Sequence, residues 1–221
     1  MQKWSIMDLL IEKELLKIKT HIIDYATLKS ILINLGYTNI NDKINSLKRK
    51  GIITSLKKGM YIHTSSVNNN IVSKEIISNN LLDGPSYISL DYALYYYGLI
   101  PEAVHEVTAV TTKRSKKFNT DFGIFSYKQI KKELFNIGLK IETSAKGSFL
   151  IAGKAKAICD KVYFTKEISL TSKQTIIEFL TDDIRMDIDD LPGINKEVIE
   201  SYYAISKSKK IKLLMNFIKE L

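Results

Sequence analysis

Cysteine is nearly absent: Cys159 stands alone in 221 residues. That excludes an intramolecular disulfide and any multi-cysteine zinc site. Long apolar runs are missing too. No window approaches the roughly 18 uninterrupted apolar residues of a membrane span, so no membrane segment is expected. The opening MQKWSIMDLLIEKELLK threads charges through its apolar positions, whereas a signal peptide has a clean apolar core and a small-residue cleavage site. These absences predict a cytoplasmic protein. Histidine is scarce as well, and His21, His63 and His105 share no metal-ligand or triad spacing with one another or with Cys159.

Catalytic motifs are present only in fragments. Asp121-Phe122-Gly123 has the letters of a kinase magnesium segment, but no Gly-rich loop, Ala-x-Lys strand or His-Arg-Asp sequence accompanies it. It reads as a turn. In Gly147–Lys154 the glycines are one residue too far apart for a phosphate-binding loop, and Ala155 stands where a magnesium-binding hydroxyl is needed. Gly147-Ser148 followed by Asp160 comes nearer to a nucleotidyltransferase signature. Asp160-Lys161-Val162 lacks the second carboxylate, however, and one carboxylate cannot hold two metals across an in-line displacement. The acidic stretch Asp182, Asp183, Asp187, Asp189 and Asp190 has Pro192 and Val198 where a calcium loop starting at Asp187 needs glycine and glutamate. It reads as a solvated capping segment. No catalytic residue, metal site or cofactor is expected, and the chain does not read as an enzyme.

What the sequence does have is an apolar content of 45% and a net charge of +9. The composition is that of a globular protein long enough for one large domain or two small ones. The positive charge is uneven. Residues 1–66 hold 11 lysines and arginines against 5 acidic residues, while the remainder holds 22 against 19. A concentrated basic excess favours a polyanionic partner, because each phosphate contact releases condensed counterions.

The patterning divides the chain at the polar stretch Ser65–Asn70, giving domains 1–66 and 67–221. In the first, Trp4, Met7, Ile11, Leu15 and Ile18 recur at helical spacing, while Ile6, Leu9, Leu10 and Leu16 form a second apolar side. A helix apolar on two sides is expected to lie between two bodies. Thr20–Ile23 is a short strand. Asp24 then caps a helix over Tyr25–Leu35 that Gly36 ends. A third helix starts near Thr38 or Asn39 and stops at Gly51. Ile40, Ile44 and Leu47 make one narrow stripe, with Asp42, Asn45, Ser46 and Arg49 opposite and Lys48 and Lys50 on the flanks. Ile52–Leu56 and Met60–His63 form a hairpin around Lys57-Lys58-Gly59.

That order is the order of a winged helix-turn-helix. The third helix is narrow enough for a major groove, where Asn45, Ser46 and Arg49 would read bases, while Lys48, Lys57 and Lys58 would hold phosphates. Winged helices also serve as scaffolds for binding RNA or protein, and that alternative stays open.

The second domain is expected to be mixed α/β with a helical C-terminal part, so the fold class is α+β. Helices read over Ile71–Leu82, broken by Asp83-Gly84-Pro85, and over Leu90–Tyr97 after a Ser89 cap. Strands read over Glu106–Thr112, Thr120–Gln129 and Ile141–Ile151, the last turning at Ala145-Lys146-Gly147. Helices follow over Lys154–Phe164, Ser172–Leu180, Lys196–Ser206 and Lys209–Leu221. Tyr92, Tyr95, Tyr96 and Tyr97 point in different directions from one helix, and they read mostly as core or domain-interface residues rather than as a base-stacking platform. Between the first two strands lies KRSKK, expected as a hairpin tip. Its Lys113, Arg114, Lys116 and Lys117 form a second basic surface with three open readings: a solvated tip, an extra phosphate contact, or a partner-facing surface.

The stretch SYISLDYALYYYGLIPEAVHEVTAVTTKRSKKFNTDFGIFSY resembles the second domain of AbiEi-type antitoxins. The resemblance rests on Ala93-Leu94, Tyr97–Pro101, Val107–Thr111, Thr112–Arg114 and Phe118–Tyr127. Lys154–Phe164 and the KKGMYI hairpin are similar to the family's following helix and wing. The resemblance implies a cytoplasmic DNA-binding repressor and antitoxin of a bacterial type IV toxin-antitoxin system, tied to abortive infection of phage. Its partners would be inverted repeats in its own promoter and a nucleotidyltransferase toxin, countered without a stable complex. The expectation is a monomer in solution that binds DNA cooperatively.

Overall fold

A computed structural model describes residues 5–65, 72–82, 84–166 and 169–221. Trp4, most of the polar stretch after Ser65, the boundary at residues 66 and 67, the start of the Ile71–Leu82 helix and Asp83 lie outside them. The fold is α+β, in two compact units. One is Met1–Asp83 with the short pieces Thr120–Phe122 and Thr143–Ser148. The other is Gly84–Asn119, Gly123–Glu142 and Phe149–Leu221.

In the first unit α1 (Ile6–Leu16) starts from a reciprocal cap, Ser5 with Asp8. β1 (Ile22–Asp24) leads straight into α2 (Tyr25–Asn34), and the Asp24 carboxylate accepts from the Thr27 amide at 2.8 Å. After Gly36, whose φ of 85° turns the chain, comes α3 (Ile40–Arg49). β2 (Ile53–Lys57) and β3 (Met60–His63) form a hairpin, and β1 pairs antiparallel with β3 to give the order β1-β3-β2. Ile11, Leu15, Leu28, Leu32, Ile44 and Leu47 bring the three helices into one core with strand residues Ile23 and Ile53. A further helix, α4 (Lys74–Leu81), is capped by Ser73.

Helix α1 departs from expectation. Only one side is buried, through Asp8, Ile11 and Leu15, and the second apolar side is left open. Ile6 is 78% and Leu9 52% exposed. The core-facing stripe runs through residues 8, 11 and 15, and Ile6, Leu9, Leu10 and Leu16 fall outside its arc.

The second unit is built on a six-stranded mixed sheet of order β6-β7-β5-β4-β9-β8. Its strands are β4 (Ser86–Ile88), β5 (Val107–Thr111), β6 (Lys116–Thr120), β7 (Gly123–Gln129), β8 (Leu139–Ser144) and β9 (Gly147–Ala152). β4 runs antiparallel to β5 and parallel to β9, and β5 runs parallel to β7. The helices are α5 (Leu90–Tyr96), the short α6 (Lys132–Phe135), α7 (Lys154–Phe164), α8 (Lys173–Glu178), α9 (Lys196–Ser206) and α10 (Lys209–Glu220). A π-turn, Phe179–Asp183, continues α8. α5 packs on α7, which in turn packs on α9 and α10. Tyr87, Ile88, Val110, Phe125, Tyr127 and Ile151 fill the sheet side of the core.

The KRSKK run is not a hairpin tip. Because β5 and β7 are parallel neighbours, Thr112–Ser115 must cross the end of β7 to reach the outer edge of the sheet. The Ser115 hydroxyl accepts from the Gln129 amide at 3.0 Å and fastens that crossing. Lys116 and Lys117 then begin the edge strand β6, and the actual turn is Asp121-Phe122. Ser89 also differs from expectation. It precedes α5 without capping it, because its hydroxyl is committed elsewhere, and Thr108 Oγ1 accepts from the Tyr92 amide in its place.

Candidate nucleic-acid interface

Helix α3 is strongly two-sided. Ile44 and Leu47 are buried, Asn45, Lys48 and Arg49 are exposed, and Ser46 is half-buried. Asp42, Asn45, Lys48 and Arg49 line a shallow surface depression. The periodicity places these side chains outward, Asp42 among them, so that a carboxylate shares the surface with Lys48 and Arg49.

The cations of α3 do different work. Lys43 and Lys50 both reach the carboxylate of Asp8 on α1, at 2.9 and 2.6 Å. Asp8 is fully buried and also accepts from the Ser5 amide and hydroxyl. Burial alone would raise its pKa. The bonds from Lys50, Lys43 and Ser5 outweigh that and hold the carboxyl well below the usual range. Asp8 thus ties both ends of α3 to α1. Lys48 and Arg49 form no ion pair among the described residues, so their charge is available to a ligand.

The hairpin turn lies near the same helix. Gly59 has φ of 75°, a left-handed conformation that glycine takes without strain, and its carbonyl accepts from the Tyr25 amide at 2.8 Å. The Tyr25 hydroxyl donates to Asn41 Oδ1 at 3.1 Å, so one residue at the start of α2 spans from the turn to the start of α3. Lys58 is exposed at the turn, and Lys57, half-buried, closes β2. Tyr25 and Asp8 were not singled out in the sequence. Asp8 had a signal, since it shares the i, i+3, i+7 face of Ile11 and Leu15. The link through Tyr25 had none.

At the base of this sheet β1 and β3 bring two histidines together. The His63 amide donates to the His21 carbonyl at 3.2 Å, and the buried His63 ring meets Glu12 at 3.1 Å. Burial, with His63 nearby, lowers the His21 pKa.

The second basic run is divided by the fold. Lys117 pairs with Glu106 at 2.9 Å, and Lys116 sits 4.6 Å from the centre of the Phe118 ring. The side chain of Lys113 lies along the backbone at Gly84, where even a Cβ would come within 2.9 Å of it. Arg114 is exposed.

Asp160 is a core residue. Its carboxylate is fully buried and accepts from Tyr87 at 2.9 Å, Ser89 at 2.8 Å and Tyr202 at 2.9 Å. Lys156, one turn earlier on α7, is equally buried, lies 3.1 Å from Asp160 and donates to the Leu134 carbonyl. Burial pushes the Lys156 pKa down, against the opposing pull of Asp160, and pushes both tyrosines up. Every acceptor position of Asp160 is thereby engaged by the fold.

No protein-family model matches the chain, and no curated protein matches it. Among solved structures it is similar to the RV2827C protein from Mycobacterium tuberculosis, at 8% identity and a TM-score of 0.61, over 99% of this chain and 79% of that one. A likeness at that identity is a likeness of fold alone.

Proposed function

We propose that the first unit is a winged helix-turn-helix that binds duplex DNA, with α3 in the major groove and Lys57 and Lys58 on the flanking backbone. The observation that carries this reading is the division among the α3 cations. Lys43 and Lys50 are spent on the buried Asp8, while Lys48 and Arg49 stand outward beside Asn45 without an acidic partner within ion-pair distance among the described residues. Such a surface suits phosphate positioning together with base readout. The AbiEi-like stretch in the second unit supports the wider role: a cytoplasmic, non-enzymatic repressor of its own operon, and an antitoxin that counters a nucleotidyltransferase toxin.

Gel-shift titration against the DNA upstream of the gene tests the first part. Replacing Lys57 and Lys58 with alanine should weaken binding to every duplex and flatten the slope of log K against log salt by about 1.8. Arg49→Ala should instead relax sequence preference, at a cost of about 1–3 kcal/mol. A double lysine variant that binds like wild type would remove the wing from the interface. If the wild-type chain shows no preference for its upstream repeats over random duplex, the first unit is instead an interaction module for RNA or protein.

A further inference from the structure

We infer that the second unit holds a binding pocket for a nucleoside phosphate, independent of the DNA-binding reading. A cavity of about 690 Å³ opens between the start of α5, the end of β7, the C-terminal turn of α7 and the π-turn after α8. That volume suits a small-molecule site. Its walls divide by chemistry. Leu90, Phe179 and Ile184 give a buried apolar side, and the half-buried Phe164 adds an aromatic ring with the Lys128 ammonium 5.7 Å from its centre. Lys128 and Lys166 are exposed at the pocket and form no ion pair among the described residues. Lys161 is neutralised by Asp91, and Asp183 supplies the remaining carboxylate.

The wall at α5 is built under constraint. Leu90 has φ of 58°, a left-handed conformation that a bulky side chain rarely takes. The turn is held from several directions. Ser89 Oγ donates to Asp160, and Thr108 Oγ1 donates to the Ser89 carbonyl at 2.6 Å while accepting from the Tyr92 amide at 3.1 Å. Asp91 accepts from Lys161. Asp160 and Lys161 are consecutive, so α7 grips the Ser89–Asp91 turn from its buried side and from its pocket side at once. A strained backbone persists only where its surroundings over-determine it, and such places gather at ligand clamps.

An aromatic and apolar wall beside unpaired ammonium groups fits a ligand with a flat base and an anionic group. The base would lie against Phe164, the phosphate between Lys128 and Lys166, and Asp183 would accept from a ribose hydroxyl or a base amino group. The source is either a free nucleotide or the 5′ end of a strand.

Isothermal titration calorimetry of the full chain decides the matter. The probes are AMP, GMP, CMP and UMP, their nucleosides, inorganic phosphate, and a 5′-phosphorylated trinucleotide. At least one phosphate-bearing nucleotide should bind with a Kd below about 1 mM, and about tenfold more tightly than its nucleoside or inorganic phosphate. Tighter binding of the trinucleotide than of the mononucleotides assigns the site to a strand end, and the reverse assigns it to free nucleotide. Lys128→Glu with Lys166→Glu, both on the exposed surface, should lose at least about tenfold in affinity with an unchanged melting temperature. The proposal is overturned if no nucleotide binds at millimolar concentration, or if the double variant binds as wild type does.

Discussion

Two buried carboxylates organise the two units, and they differ in what surrounds them. Asp8 neutralises two lysines of α3 that remain partly open to water, so it acts as an anchor rather than as a core charge. Its folded pKa lies below the unfolded value. The contribution is therefore complete above about pH 4 and is lost as the pH falls through the folded value. Asp8→Asn should cost about 2 kcal/mol at neutral pH, and the gap to wild type should begin to narrow below about pH 4 and close only as the pH falls through the folded value. Denaturant titrations at neutral and at acid pH check this, and a gap of equal size at both would show that the carboxylate charge is not what stabilises. Asp160 is enclosed with the Lys156 ammonium and three hydroxyl donors. Asp160→Ala should cost about 3–5 kcal/mol, because it strands a buried ammonium. Adding Lys156→Met should recover part of that loss. A double variant less stable than the single one would mean that the pair stabilises beyond charge balance.

At the scale of elements, the sequence was legible wherever a period and a boundary residue coincided. Lys154–Phe164 and Lys196–Ser206 were read to the residue, because each apolar stripe follows a residue suited to the N-cap, Gly153 and Asn195. The hairpin Leu139–Ala152 turned where Gly147 allowed it. Three-residue β4 was missed, since all three of its residues are buried and a period of two cannot show in so short a run. The path of β6 was misread for a different reason. Its place at the sheet edge follows from the parallel pairing of β5 with β7 and from the bond between Gln129 and Ser115, neither of which is local. The candidate interface followed the same division. The outward face of α3 came from periodicity, whereas the Asp8 anchor and the Tyr25 link depend on contacts 35 and 16 residues apart. Gly59 is where element geometry would bear on the proposed DNA contact. Gly59→Ala forces a side chain into φ of 75° and should cost about 1–2 kcal/mol, with a loss of DNA affinity that exceeds the loss for Lys58→Ala alone. Parallel melting and gel-shift measurements separate the two effects, and an affinity that survives the substitution would make the turn's exact course irrelevant to binding.

For the molecule as a whole, the number of cations that reach phosphate would set how strongly salt acts on the proposed DNA binding. In that binding mode the phosphate contacts of the first unit are Lys48, Lys57 and Lys58. If they alone engage the backbone, log K should fall with log salt at a slope of about −2.7 per bound chain on a half-site duplex. Were all four cations of Lys113–Lys117 to join them, the slope would steepen to about −6.3. The second unit does not offer those four. Lys117 is paired with Glu106, Lys116 is drawn onto Phe118 and Lys113 lies along Gly84, which leaves Arg114 as the one fully uncommitted cation of the run. The expected slope is therefore nearer the shallow value, and Arg114→Glu should change it by no more than about 0.9. A slope near the steep value would return the whole run to the DNA and require Lys116 and Lys117 to exchange their partners for phosphate. A shallow slope leaves Arg114 available for the proposed antitoxin role. Arg114→Glu should then abolish neutralisation of a cognate toxin while DNA affinity stays close to the wild-type level, and a loss of both together would show that one surface serves both tasks.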